Sequence, residues 1–241
     1  MPRVLVHARR AIAALLAPAT LAATLLLLPT PAVHARQPRP LHRILFPPEN
    51  LGELEGADRD TWQRSEQVMD ALGIAEGSVV ADLGAGSGWF TVRIAHRVRP
   101  TGKVYAEDIQ PQMVEVIKRR RARENLERTI EVTLGTAEDL RLPENSLDAA
   151  LICDAYHEMD QPIALLRNAA RALKKDGRLA IIEFTKAGGG PGPPLEDRVD
   201  PERVIREAEA AGLRLIARPN FLRYQYMLIF GKPVETAPRV R

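Results

Sequence analysis

A chain of 241 residues, 45% of them hydrophobic, buries a full core, and its length favours one domain or at most two. Its 34 Lys+Arg nearly balance 31 Asp+Glu, and the surplus sits in residues 1–35, where Arg3, Arg9 and Arg10 have no acid beside them. The remainder is neutral, which excludes the electrostatic footprint of a nucleic-acid binder. Cys153, the single cysteine, excludes an intramolecular disulfide framework and a cysteine-rich zinc site.

The first segment reads as an export signal. Arg9 and Arg10 precede a run uncharged from Ala11 to Val33, and Val33 and Ala35 place small residues before a cleavage point after Ala35. The expected location is therefore periplasmic or secreted. The alternative is a membrane anchor over 11–33, a length that spans hydrocarbon but is interrupted by Pro18, Pro29 and Pro31. Arg9-Arg10 also loosely resembles a twin-arginine export signal.

Residues 36–60, with prolines at 38, 40, 47 and 48 and no sustained period, read as a linker running into a lid. Asp60 is expected to cap one helix whose apolar face carries Trp62, Val68, Met69 and Leu72 and which ends at Gly73. Trp62 either closes over a ligand or belongs to the core. Beyond it, VVADL, KVYAED, IEVTLG, LDAALICD, RLAIIEF, LRLIA and QYMLIF alternate with helical stretches around 89–98, 111–124, 161–174 and 201–211. That alternation predicts an α/β domain over 61–232 built on a doubly wound, mostly parallel seven-stranded sheet, with a tail over 233–241. The last two strands lie too close in sequence for a crossover helix, so they are expected to pair antiparallel.

The stretch VVADLGAGSGWF places Gly84, Gly86 and Gly88 in a strand-to-helix turn behind Asp82. Glycine allows φ > 0 and close approach of a ligand to the backbone. A dinucleotide fingerprint needs Gly or Ala at its sixth position, where Trp89 stands if counting starts from Gly84, or Thr91 if from Gly86. A nicotinamide oxidoreductase is disfavoured for that reason.

The acid and GxGxG spacing instead resembles the first motif of class I S-adenosylmethionine-dependent methyltransferases. The resemblance runs over about 60–231, and takes in KVYAED with Asp108, GTAEDLRLPENSLD, LKKDGRLAIIE and the terminal antiparallel strand. Within the class it is nearest to the quinone and sterol C-methyltransferase-like group, and to methyltransferases carrying DAYHE and QYxLxF segments. It implies a Rossmann-like methyltransferase fold and S-adenosyl-L-methionine as co-substrate. The implied donor-binding positions are Asp82, Gly84, Ala85, Gly86, Gly88, Asp108, Ile109, Thr136, Ala137, Glu138 and Asp154.

Asp108 is expected to take the ribose hydroxyls, with Glu107 turned away because successive strand residues point to opposite sides. Thr136 occupies a position where many relatives place an adenine-contacting aspartate, so Glu138 or Asp139 are the alternatives. Asp154 is expected at the methionine amino end, and Tyr156 and His157 are the catalytic candidates. His157 or Glu158 either deprotonates the acceptor or only holds the loop. No histidine spacing suggests a metal. KRRRARENLER, 118–128, reads as a solvated helix face, and AGGGPGPPLEDR, 187–198, as a binding loop or a passive linker. The expected function is methyl transfer to a small-molecule acceptor, with no nucleic acid and with membrane contact only if the first segment stays uncleaved. The alternative is an inactive S-adenosylmethionine sensor.

Overall fold

The computed structural model describes residues 45–233. The expected signal segment over 1–35, the expected linker up to 44 and the tail from 234 lie outside the described residues. Seven strands form one sheet: β1 (Val79–Leu83), β2 (Lys103–Asp108), β3 (Ile130–Leu134), β4 (Leu147–Cys153), β5 (Leu173–Phe184), β6 (Arg214–Ala217) and β7 (Gln225–Gly231). Their order is β3-β2-β1-β4-β5-β7-β6. Every pairing is parallel except those of β7, which is antiparallel to both β5 and β6.

The apolar runs follow from this layering, because strands covered on both faces need apolar residues at every position. Val80, Val104, Ala106, Leu151, Ile182 and Ile229 lie on one side, packed with α2 (Ser65–Leu72) and α3 (Trp89–Val98). Ala81, Leu83, Ile152, Ile181, Leu228 and Phe230 lie on the other, under α5 (Pro162–Ala172) and α6 (Pro201–Ala210). Helix α4 (Pro111–Arg123) buries Met113, Val114 and Ile117 and carries its basic run on the outside. The chain leaves β1 toward β2 and returns to β4 on the other side, so a crevice opens at the carboxyl ends of β1 and β4, where open α/β sheets bind ligands.

The structure departs from expectation before β1. The single helix expected from Asp60 to Gly73 is two, α1 (Arg59–Gln63) and α2, separated by Arg64 in the left-handed region at φ 50°. Asp60 caps the second: its carboxylate accepts the Ser65 hydroxyl at 2.6 Å and the Ser65 N–H at 3.3 Å. The break turns Trp62 away from the core that Val68, Met69 and Leu72 enter, and its ring lies against Phe184 and Tyr224 at 5.8 and 6.3 Å. Among the described residues no helix is long and apolar enough to cross a membrane.

Strand β7 wedges between β5 and β6, and its fully buried Phe230 lies opposite Leu179 on one side and Leu215 on the other. Phe230→Ala is expected to destabilise the domain by about 3–5 kcal/mol, as large cavities in packed cores do. Urea denaturation monitored by far-UV circular dichroism measures it; a loss under about 1 kcal/mol would show that the β5-β7-β6 end is not part of the cooperative core.

Candidate active site

The loop after β1 is shaped by left-handed backbone at all three glycines, with φ 70° at Gly84, 53° at Gly86 and 78° at Gly88. Side chains rarely adopt those angles, and a Cβ on Gly84 would also stand 2.7 Å from that of Ala155. The N–H groups of Gly84 and Ala85 both reach the Glu107 carbonyl at 2.9 Å, and that of Gly86 reaches the Asp108 carboxylate at 2.9 Å. Asp82 sits beneath the loop, 3% exposed, accepting the Thr91 hydroxyl at 2.5 Å. It thereby ties the end of β1 to the first turn of α3. Burial lifts its carboxyl to about 6, against the opposing effect of the Thr91 bond.

Strand β2 brings two acids to this edge. Asp108 accepts the Gln110 N–H at 2.8 Å with one oxygen and holds Gly86 with the other. Glu107 also borders the cavity, although Asp108 alone was expected there. It is 2% exposed, its Oε1 has no hydrogen-bond partner, and burial followed by repulsion from Asp108 pushes its carboxyl up to about 8. After β3, Thr136 accepts the N–H groups of Glu138 and Asp139 at 3.4 and 3.0 Å, so its hydroxyl is spent on a local turn. Thr136 and Glu138 are exposed and away from the cavity, whereas Ala137 borders it. Gly88 starts α3 and faces Ile117 of α4, so its contribution is to the loop's shape.

The carboxyl end of β4 supplies a third group of residues. Asp154 is held in the left-handed region at φ 56°, its N–H on the Ile182 carbonyl at 2.8 Å, and its buried Oδ1 has no partner. Burial, then Glu183, raises its carboxyl to about 7. His157 Nδ1 lies 3.0 Å from Glu183 Oε2, and the His157 N–H donates to Glu183 Oε1 at 3.2 Å. Burial lowers the imidazole, but Glu183, Asp154 and Glu158 together carry it up to about 9. Asp154, His157 and Glu183 bring their ligand-type atoms within 4.8 Å of one another, a donor set that sequence spacing hid because Glu183 belongs to β5. The one signal for it was a charge inside the otherwise apolar run LAIIEF.

Tyr156 does not join them. Its side chain is 1% exposed, packs on the α5–α6 side and donates to Glu207 at 2.6 Å, so the neighbour of His157 in sequence anchors the turn to α6 and faces away from the cavity.

These groups enclose a cavity of about 910 Å³. Its cover is the 3-10 segment Pro48–Glu55 with the residues just before it. Phe46 ties the cover to both ends of the site: its N–H donates to Glu158 at 2.9 Å and its carbonyl accepts from Gln110 at 3.2 Å. Glu55 pairs with Arg120, which also donates to the Ser87 carbonyl at 3.2 Å. On the far side the 187–198 loop is an ordered wall, because the buried Arg198 donates to the carbonyls of Pro193, Thr185 and Pro191. Pro191 and Gly192 line the cavity, as expected of a binding loop.

Comparisons with known proteins agree with this fold. A family model described as "Methyltransferase domain" matches residues 81–181. A crystal structure of an S-adenosylmethionine-dependent methyltransferase from Aquifex aeolicus superposes with a TM-score of 0.73 at 28% identity, covering 77% of this chain and 98% of that one. Residues 81–181 match a methyltransferase domain, and the fold is that of the class I S-adenosylmethionine-dependent methyltransferases. The ubiquinone/menaquinone biosynthesis C-methyltransferases UbiE of Hydrogenovibrio crunogenus and Pseudomonas fluorescens are 34% and 31% identical to it, over 52% and 55% of this chain. The chain spans about half the length of those relatives, 48% and 51%.

The methyltransferase domain carries an electrostatic load with a definite sign. Glu107, Asp82 and Asp154 have folded pKa values above their ordinary ones, so between about pH 5 and 8 the folded state holds protons that the unfolded chain has released. Stability therefore falls as pH rises through that window. His157, raised to about 9, adds stability that is complete below its ordinary value of 6.5 and is lost toward pH 9, with the same sign. The urea midpoint is expected to drop between pH 5.5 and 8.5, and Glu107→Gln to flatten the slope by an amount of order 1 kcal/mol. A midpoint that rises over this range would contradict the burial of these acids in their folded positions.

Proposed function

We propose that the protein transfers the methyl group of S-adenosylmethionine to a small-molecule acceptor. The observation that carries this reading is the join between loop and strand: three left-handed glycines whose middle N–H is held by Asp108, opening on a cavity that ends at Asp154 and His157. Glycines at 84 and 86 let the donor lie against the backbone, and Asp108 presents a carboxylate to the ribose hydroxyls. Ile109 and Ala137 flank the adenine. A cavity of about 910 Å³ lies at the upper end of small-molecule sites, large enough for the donor with a compact acceptor. The UbiE relatives are named C-methyltransferases of quinone biosynthesis, so an electron-rich ring carbon is the first acceptor class to assay.

In the reaction the acceptor's nucleophilic atom attacks the methyl carbon in line, the carbon–sulfur bond breaks, and its electron pair stays on sulfur. The sulfonium is already activated, so alignment and exclusion of water by the Phe46–Leu54 cover are the protein's main contribution. His157 receives the acceptor's proton. Glu183 holds Nδ1 and so aims Nε2 away from itself. The imidazole is charged at neutral pH in the free protein, and a sulfonium cation beside it lowers its pKa, which readies it as a base when donor is present.

Gly86→Val is expected to abolish binding of S-adenosylhomocysteine, measured by calorimetry on the full chain. Affinity within about threefold of the parent, a difference of only about 0.7 kcal/mol, would sink the loop assignment. His157→Gln should leave that affinity within about threefold while lowering transfer of labelled methyl to an accepted quinol by about 10²–10⁴. Unchanged turnover would remove His157 from the proton's path. We further propose that the protein is exported after cleavage following Ala35; the intact mass from a native host would then begin at Arg36.

A further inference from the structure

The register of the sheet brings a different set of ligands together at the ends of β4 and β5. Cys153 lies opposite Ile182, so the next residues along, Asp154 and Glu183, leave the two strands side by side. The Asp154 N–H on the Ile182 carbonyl at 2.8 Å fixes that step. The 3-10 turn Tyr156–Glu158 then folds His157 back over the strand ends. Its imidazole arrives against Glu183, whose Oε2 lies 3.0 Å from Nδ1 while Oε1 accepts the His157 N–H at 3.2 Å. One ligand-type atom from each of Asp154, His157 and Glu183 thus stands within 4.8 Å of the other two.

Donors held at about 2.0–2.2 Å around one ion are themselves about 3 Å or slightly more apart, so His157 and Glu183 already stand at ligand separation. Two further observations point to an ion. Glu183 is fully buried in an otherwise apolar strand, and Asp154 keeps a buried Oδ1 with no hydrogen-bond partner. A carboxylate oxygen taken out of water costs free energy unless a donor or a cation meets it. The charges also leave a surplus. Asp154 feels Glu183, Glu158 and Arg59, so with a neutral imidazole three carboxylates face one guanidinium, and a divalent cation balances what is left.

The site has an entrance. Asp154 and His157 border the cavity, whereas Glu183 is closed off from it, so an ion arrives through the cavity and keeps its remaining coordination positions on that side. One imidazole with two carboxylates and no thiolate suits zinc among the common divalent ions.

We propose that Asp154, His157 and Glu183 form a binding site for a divalent transition-metal ion of the zinc type, and that its occupancy inhibits methyl transfer. The ion takes the place of the proton between His157 and Glu183, and that proton goes to solvent. Bound through Nδ1, the ring keeps its other proton on Nε2 and has no lone pair left for the acceptor's proton. The inhibitory part rests on the methyltransferase reading above, with His157 as its base; the binding part rests on the three donors alone.

Zinc chloride titrated into the full chain against a zinc-binding chromophore of known affinity tests the site without donor or acceptor. The parent is expected to bind with a Kd in the micromolar range or below. Asp154→Asn and Glu183→Gln, which keep the shape and remove the charge, should each weaken that binding by at least about thirtyfold, about 2 kcal/mol. Circular dichroism checks their fold, and Asp154→Asn carries the comparison if the buried Glu183→Gln does not fold. His96→Gln removes the imidazole that pairs with Glu124 on the surface at 3.2 Å, and should change the affinity by less than about threefold. A parent that binds no zinc at micromolar concentrations, or binding that survives Asp154→Asn unchanged, would overturn the site. Transfer of labelled methyl should be half inhibited at the free zinc concentration that half fills the site; full activity with the site filled would overturn the inhibitory role. A parent that binds zinc but neither binds S-adenosylhomocysteine nor transfers methyl would overturn the methyltransferase reading and the inhibition with it, and leave the metal site standing.

Discussion

The bond from the Gly86 N–H to the Asp108 carboxylate, 2.9 Å long, joins the two parts on which the rest of the site depends. One partner comes from the turn after β1 and the other from the end of β2, so the bond forms only when these strands lie side by side and in register. A charged acceptor makes it stronger than an ordinary amide bond, and it is partly shielded from water. With Gly84 and Ala85 both on the Glu107 carbonyl, the loop has few ways left to move. The glycines supply permitted dihedrals; the neighbouring strand chooses among them.

Around that join the protein concentrates acid where it has little solvent. Asp82, Glu107, Asp108, Asp154 and Glu183 all gather at the carboxyl edge, against the cations Arg59 and His157. A stable fold seldom tolerates such crowding without a ligand to share it, and the donor has the complementary charges: a sulfonium, an ammonium and a carboxylate. The raised carboxyls are a cost to stability in the free protein, one that binding of the proposed donor would offset.

The cover follows the same logic at longer range. Phe46, Leu54 and Glu55 reach Glu158, Gly86 and Arg120 in turn, and the Leu54 carbonyl accepts from Arg59 of α1. The cover buries no residue of its own 3-10 segment, so these polar ties carry its position. A segment held mainly by hydrogen bonds to binding groups is well suited to open and close with the ligand.

The sequence by itself determined the architecture. Continuous apolar runs at regular spacing require strands buried on both faces, GxGxG behind Asp82 requires a left-handed turn, and the short link before QYMLIF requires an antiparallel return. These signals are local, and all three hold in the fold. What only tertiary structure decided depends on meetings between distant segments. Glu183 reaches His157 from another strand, Asp60 caps a helix that begins five residues later because Arg64 breaks the chain, and Glu107 enters the cavity edge because β2 ends there. Tyr156 and Thr136 show the converse: each has the right chemistry at the right place in sequence, but a partner from α6 or from its own turn had already taken the hydroxyl. Arg59 had no local signal at all, since an arginine near a helix start resembles any surface cation until folding buries it on Trp89. Backbone requirements are written residue by residue, whereas the partner of a polar side chain is settled only when separate elements pack.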